Sequence, residues 1–346
     1  MTSLSLGSRT IGPGQPTFVI AEIGVNHDGS VARALELVQH AHSAGADAIK
    51  LQLFHAKALL HPSAAFAEYQ KDRCAEPTPA DMLGRYELSA RDVGEIVSAI
   101  RAAGMIPLAT PFSPSDIETL AAVDLPAIKI ASPDIVNLPL LKRAAELRKP
   151  LLISTGAATM DEVAAAVDWL RLRGVKFALL HCISSYPVPA DDANLCWIRE
   201  LSVFGAPVGF SDHTTEQLGG ALAVAAGACL VEKHLTYDRS APGPDHAASA
   251  DPQQFAAYVA AIRLADRLKG TPGKRVLPIE NEIRQMSRQS LVLRRDLSPD
   301  QQFAENDLTT QRPASGISPF EIDQVLTRRP KRPLPAGTIL HWEMLS

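Results

Sequence analysis

Two histidines, His213 and His234, close the short apolar runs APVGFSDH and CLVEKHLT. Neutral imidazoles that face one another suit a divalent transition metal, with positions left for water or a substrate. Two satisfied core histidines would leave the same pattern, and His27, His55, His181 and His246 stand near the ends of other runs. Spacing alone does not single out the pair. A second set is cationic and rich in hydroxyls. Lys50 and Lys129 interrupt the runs AIKLQLF and AIKIAS, while Thr110, Ser132, Ser154, Ser184 and Ser211 lie at or just past the ends of others. Two ammonium groups, these hydroxyls and nearby loop amides can bind a phosphate and a carboxylate together. A desolvated lysine also permits Schiff-base chemistry, which keeps Lys50, Lys129 and Lys233 open as nucleophiles. Glu22 ends the run TFVIAE beside Asn26 and His27. Burial there would poise its carboxyl as a general acid or base; the alternative is a structural carboxylate paired with Lys50 or Lys129.

These residues share a position in a repeated unit. Eight apolar runs, beginning at Thr17, Asp47, Met105, Ala127, Pro150, Lys176, Ala206 and Cys229, alternate with amphipathic segments such as VARALELVQHAHSAG and DPQQFAAYVAAIRLADRL. Unbroken apolar strands followed by helices that end near Gly45, Gly104 and Gly174 are the pattern of a parallel sheet. Eight such units in about 250 residues predict a closed (β/α)8 TIM barrel of the α/β class. In that fold the reactive groups gather where strands end, and all eight runs end in polar or charged side chains. The loop PGPDHAAS, after the eighth run, is expected to hold Asp245 and His246 over the barrel mouth.

The alternation stops after Lys269. A linker is expected over 270–289, and a small β-rich module over 290–346, with the short pieces SLVLRRDL, DLTTQR and GTIL punctuated by prolines. The catalytic barrel then spans 1–269. A module of that size is near the lower limit of independent stability and is expected to lean on something larger.

Composition narrows the partners. The chain has 346 residues, 46% hydrophobic and 21% charged, which excludes wholesale disorder. Its 34 basic and 38 acidic residues give a net charge of −4 without long like-charged blocks, so neither nucleic acid nor an anionic membrane has an electrostatic basis. The ligand is expected to be small. The longest nearly continuous apolar stretch, Gly219 to Val231, is short of the ~18 residues a membrane span needs. The N-terminal MTSLSLGSRT lacks the pattern of a signal peptide, and Cys74, Cys182, Cys196 and Cys229 form no C-x-x-C pair. A cytoplasmic protein with reduced thiols is the expectation.

Read in order, the strings IAEIGVNHDGS, KLQ, ATPFS, KIAS, STG, LLHC, YPVP, GFSDHT, EKHLT and PGPDHAAS resemble the sialic acid synthase family, which makes N-acetylneuraminate and the related legionaminic and pseudaminic acids. SLVLRRDL and RPASGISP resemble the antifreeze-like (SAF) module of these enzymes. The resemblance implies condensation of phosphoenolpyruvate with an N-acylated hexosamine. It implies that His213 and His234 hold a divalent metal, typically manganese, with magnesium or cobalt as substitutes. It implies that Lys50, Thr110, Lys129, Ser132, Ser154, Ser184 and Ser211 grip phosphoenolpyruvate, and that Glu22 is the acid/base carboxylate. Gln52, Tyr186 and Asp245 would contact the sugar, joined by Arg312 from the partner in a domain-swapped homodimer. The chain departs from the family at Pro133, where many relatives have Gly, at Ser184, where some have Asn, and at Leu53, where Thr is common. Two other readings compete: a class I aldolase, and a non-enzymatic carbohydrate- or ice-binding protein suggested by the last module.

Overall fold

A computed structural model describes residues 3–66 and 76–346. Cys74 lies outside the described residues; Cys182 and Cys229 are buried free thiols, and Cys196 is an exposed one. The chain divides into two compact units, Met1–Thr271 and Pro272–Ser346.

The first unit opens with a hairpin, β1 (Leu4–Leu6) against β2 (Arg9–Ile11). Eight parallel strands follow: β3 (Phe18–Glu22), β4 (Ala48–Leu53), β5 (Ile106–Pro111), β6 (Ile128–Ile130), β7 (Leu151–Ser154), β8 (Phe177–Cys182), β9 (Val208–Asp212) and β10 (Leu230–His234). Their order is β5-β4-β3-β10-β9-β8-β7-β6, and β5 and β6 at its two ends also lie against each other. The sheet closes on itself as the eight apolar runs predict.

Alternation along each strand divides the core. Outward side chains such as Val19, Ile49, Leu51, Ile153 and Val231 pack beneath the surrounding helices. Those helices are terminated by their own sequence. Ser89, Thr159 and Asp251 each form reciprocal caps with the side chain three residues on, and Gly45, at φ 83°, closes Val31–Ala44. Inward side chains near the strand starts, including Phe18, Ile20, Leu108, Leu152 and Leu180, form a separate apolar cluster with Leu4, Leu6 and Ile11. The hairpin therefore caps the N-terminal end of the barrel with three buried aliphatics. Gly209 is required in this layer, because a Cβ there would stand 2.4 Å from Leu230 Cγ. Above it the inward positions become polar, which sets the floor of the site. No helix among the described residues is long and apolar enough to cross a membrane.

In the second unit β11 (Ser290–Leu293) pairs antiparallel with β12 (Leu308–Gln311), around a core containing Leu291, Phe303, Leu308, Val325 and Leu340. The piece GTIL, expected as a strand, contributes an isolated bridge between Ile339 and Val292. The 270–289 stretch, expected as a linker, carries a helix at Asn281–Ser287, and the boundary between the units falls after Thr271.

Candidate active site

The barrel's C-terminal interior gathers four charged side chains: Lys50, Glu22 and Glu232 on the neighbouring strands β4, β3 and β10, and Lys129 on β6 across the barrel. In the β-ladder Glu22 is level with Lys50 on one side and His234 on the other, while Glu232 is level with Ser211. The Lys50 ammonium touches Glu22 Oε2, lies 3.6 Å from Glu232 Oε1 and donates to Thr110 Oγ1 at 3.0 Å. Lys129 Nζ lies 3.7 Å from Glu232 Oε2 and donates to Ser154 Oγ at 2.6 Å; Ser154 Oγ is 2.8 Å from Ser211 Oγ. All of these residues are buried. Glu232 thus bridges two lysines that would otherwise repel one another in a low-dielectric interior.

The same geometry sets the proton affinities. Burial pushes the Glu22 carboxyl up to about 7, against the pull of Lys50 and with the help of Glu232. Glu232 is held below its usual value: burial acts upward, but Lys129 and Lys50 outweigh it. Burial opposes the charge on Lys50, yet Glu22 and Glu232 together raise its value. Both shifts are upward, which disfavours the charged form of Glu22 and favours that of Lys50. Because Lys50 also faces Glu232, it stays charged whichever state Glu22 adopts. Lys129 is lowered, since burial exceeds the opposing effect of Glu232.

Ser132 and Ser184 meet at a glycine. The Gly156 N–H donates to Ser132 Oγ at 3.0 Å, and a Cβ on Gly156 would stand 2.4 Å from Ser184 Oγ and 2.9 Å from Ser132 Oγ. Gly24 makes a similar space on the other side, where a Cβ would fall 2.6 Å from Glu22 Oε1 and 2.7 Å from Gln52 Nε2. Lys50, Thr110, Lys129, Ser154 and Ser211 therefore form one connected set, with Ser132 and Ser184 grouped at Gly156, and Glu22 and Gln52 at Gly24.

His213 and His234 come together, with ring centroids 5.5 Å apart. Tyr186 lies across both, at 4.1 Å from His213 and 5.9 Å from His234. His213 Nδ1 is 2.9 Å from the Ile183 carbonyl, which fixes the proton there and leaves Nε2 as an acceptor. Burial works against a charged His213, but the Cys182 sulfur and the Ile183 carbonyl more than offset it. Burial holds His234 well below its ordinary value and hence neutral. Its Nδ1 is 3.6 Å from Asp245 Oδ2 and has no hydrogen-bond donor. Glu22 Oε1, Glu232 Oε2 and Asn26 Oδ1 are likewise buried without donors. Several lone pairs left without donors in and around one buried site fit a cation. Among the described residues no three His, Cys, Asp or Glu side chains converge as a ligand set, so the two imidazoles are what the chain would offer such a cation.

The four other histidines near strand ends are spoken for. His27 Nδ1 accepts from the Gly29 N–H, His55 pairs with Asp116, and His181 Nε2 meets the Ala193 carbonyl. His246 corrects the expectation for PGPDHAAS. It turns away from the mouth, fully buried between Thr236 Oγ1 (2.7 Å) and Asp28 Oδ1 (3.1 Å), and ties the eighth loop to the first. Asp245, its neighbour, is the residue that reaches the site. Lys233 is corrected too: it faces outward onto Asp212 and the Thr214 carbonyl, so it is no candidate for a Schiff base in the barrel. Arg312 is exposed at the end of β12 in the second unit. Glu232 is the residue that sequence reasoning missed. It lies two positions before His234, and strand alternation puts both on the inner face.

Residues 37–274 match the NeuB family, and residues 288–346 match the SAF domain. The chain belongs to the NeuB family. It is 40% identical to the N,N'-diacetyllegionaminic acid synthase of Legionella pneumophila, over 97% of each chain. It is 36% identical to the enzyme of the same name from Campylobacter jejuni, over 90% of this chain and 94% of the relative. The solved sialic acid synthetase of Leptospira borgpetersenii, in complex with citrate, superposes with a TM-score of 0.74 at 32% identity, covering 82% of this chain and 95% of that one. The barrel with its SAF domain is thus the fold of sialic acid synthases, and the relatives are synthases of sialic-type acids.

Proposed function

We propose that this NeuB-family chain condenses phosphoenolpyruvate with an N-acylated hexosamine to give a nine-carbon sialic-type 2-keto acid and phosphate. The acceptor is N-acetylmannosamine or a 2,4-diacetamido-trideoxyhexose. The observation that carries this reading is the buried array of Lys50, Lys129, Thr110, Ser154 and Ser211 beside the Glu22 carboxyl and two facing imidazoles. Such an array offers charge-assisted donors to a small molecule bearing both carboxylate and phosphate. Ser132 and Ser184, grouped at Gly156, extend it.

His213 and His234 would hold a divalent metal, manganese first and magnesium or cobalt as substitutes; when bound it supplies Lewis-acid polarisation of the sugar aldehyde. The chain's own groups do the rest. Gln52, Tyr186 and Asp245 orient the open-chain sugar so that C3 of phosphoenolpyruvate attacks the aldehyde carbon. A C–C bond forms, the aldehyde oxygen takes a proton, and C2 becomes electron-poor. Glu22 accepts a proton from the water that adds to C2; the C2–O bond to phosphate then breaks with its electron pair leaving on phosphate, which takes up the proton that the C2 hydroxyl gives up as it becomes the ketone. Throughout, the lysines and hydroxyls stabilise the anionic groups at fixed positions. The SAF domain of one protomer is proposed to bring Arg312 to the sugar in its partner's barrel.

The test is phosphate release from phosphoenolpyruvate with a panel of N-acetylmannosamine, a 2,4-diacetamido sugar of the mannose type and its altrose isomer. Release with one member supports the reading and names the acceptor; release with none defeats the substrate assignment. The class I aldolase draws on Lys129, whose lowered proton affinity suits an amine nucleophile. Borohydride is expected to trap no substrate on the chain, and a trapped adduct would favour the aldolase.

A further inference from the structure

The outer face of β9 and β10 carries a second polar cluster, separate from the barrel interior. Outward strand positions in this barrel are mostly apolar and covered by helices, yet Lys233 stands there 3% exposed. A buried ammonium needs partners for each of its three N–H groups. Two are engaged, by Asp212 Oδ2 at 3.3 Å and by the Thr214 carbonyl. Asp212 has little left to give, because its Oδ1 accepts from the Thr214 N–H at 2.8 Å and its Oδ2 from Tyr258 OH at 2.6 Å.

Beside Lys233 opens a cavity of about 290 Å³, lined also by Arg239, Thr215, Gln217, Gln254 and Tyr258. Arg239 donates from Nη2 to the Ala247 carbonyl at 3.1 Å, and its buried Nε has no acceptor. The carboxylate among the lining residues is Glu216, which is exposed to water. The cavity thus has two cationic side chains with unspent donors, Lys233 and Arg239. Buried donors left unpaired are costly, and a small oxyanion supplies what both lack.

We propose that this cavity is a second oxyanion site, taking phosphate or a small carboxylate between Lys233 and Arg239. It lies behind the strands that carry Ser211 and His234, and it shares no lining residue with the interior lysine array. Its volume admits an anion of phosphate size with ordered water.

The experiment is equilibrium dialysis of the full chain against labelled inorganic phosphate, with acetate as competitor. Wild-type protein is expected to bind phosphate at two places, the interior and the outer cavity. Arg239→Gln is expected to weaken the outer binding at least tenfold while the interior binding and the melting temperature stay as in wild type. Lys129→Met is expected to remove the interior binding and leave the outer. Acetate that displaces only the Arg239-dependent phosphate shows that the site accepts carboxylates, and acetate without effect there marks a preference for tetrahedral anions; both support the site. Phosphate binding by Arg239→Gln and by Lys233→Gln that matches wild type at both places would overturn it. Loss of binding in Lys129→Met alone would leave the interior site standing and sink the outer one.

Discussion

Replacing Gly156 by alanine tests the phosphoenolpyruvate cradle without deleting any group proposed to bind substrate. The added Cβ would stand 2.4 Å from Ser184 Oγ, 2.9 Å from Ser132 Oγ and 3.1 Å from Cys182 Sγ. Contacts that short force the neighbours to move. Ser184 is exposed and can swing into solvent, whereas Ser132 is buried at the start of a 3-10 turn and has no solvent to turn into. The Gly156 backbone is not in the left-handed region, so the substitution adds no strain of that kind. The cost should therefore appear in binding rather than in folding. Loss of one hydrogen bond to a charged group is worth about 1.5–3 kcal/mol, which corresponds to roughly 10- to 150-fold in dissociation constant. Calorimetric titration with phosphoenolpyruvate reads this directly, and phosphate-release kinetics should show the same factor in its KM. A titration indistinguishable from wild type, with the fold intact by melting temperature, would refute the idea that hydroxyls gathered around Gly156 grip the substrate.

Glu22→Gln is expected to abolish turnover while phosphoenolpyruvate binding survives; near-normal phosphate release would reject the acid/base role. In wild type the activity limb governed by Glu22 should rise through about pH 7, where burial has placed its carboxyl, and that limb should vanish in the variant. The sign for stability follows from the same shift. The folded chain holds this proton from about 4.5 up to about 7 while the unfolded chain has lost it, so Glu22 makes the protein less stable as pH rises through that window, by roughly 3 kcal/mol in total. Chelator should remove activity and manganese restore it, and His213→Ala or His234→Ala should weaken manganese binding measured by calorimetry; unchanged binding in both would exclude the imidazole pair. Gly209→Ala should lower stability by about 1–3 kcal/mol in chemical denaturation, because its Cβ collides with the Leu230 side chain and carbonyl inside the barrel. Mixing Arg312→Ala chains with His213→Ala chains should restore activity through mixed dimers that contain one intact site; continued inactivity after subunit exchange would count against a residue supplied across the dimer.

The barrel was legible because each strand is an apolar run long enough to cross it once, and the candidate site because polar residues close those runs. What stayed hidden depends on which face a side chain takes. His234 and Lys233 are adjacent letters, yet one points inward to Tyr186 and His213 and the other outward to Asp212. Reading only the last polar residue of each run passed over Glu232, although a period of two places it on the same face as His234. The hairpin Leu4–Ile11 was equally invisible, since three aliphatics in a short N-terminal segment carry no periodicity until the open end of a barrel is there to receive them.

The proline at position 133 fits the local geometry. Ser132–Val136 forms a 3-10 turn with proline in its first turn, where no N–H is required and the fixed φ suits the helix. Ser132 still accepts from the Gly156 N–H at 3.0 Å. Asp134, raised by burial against its hydrogen bond from Asn137, is held inside that turn. Proline therefore stiffens the turn that presents Ser132. Leu53 packs in the outer core beneath the helices, so differences in acceptor preference between this chain and its relatives are first to be sought at Ser184, beside Gly156.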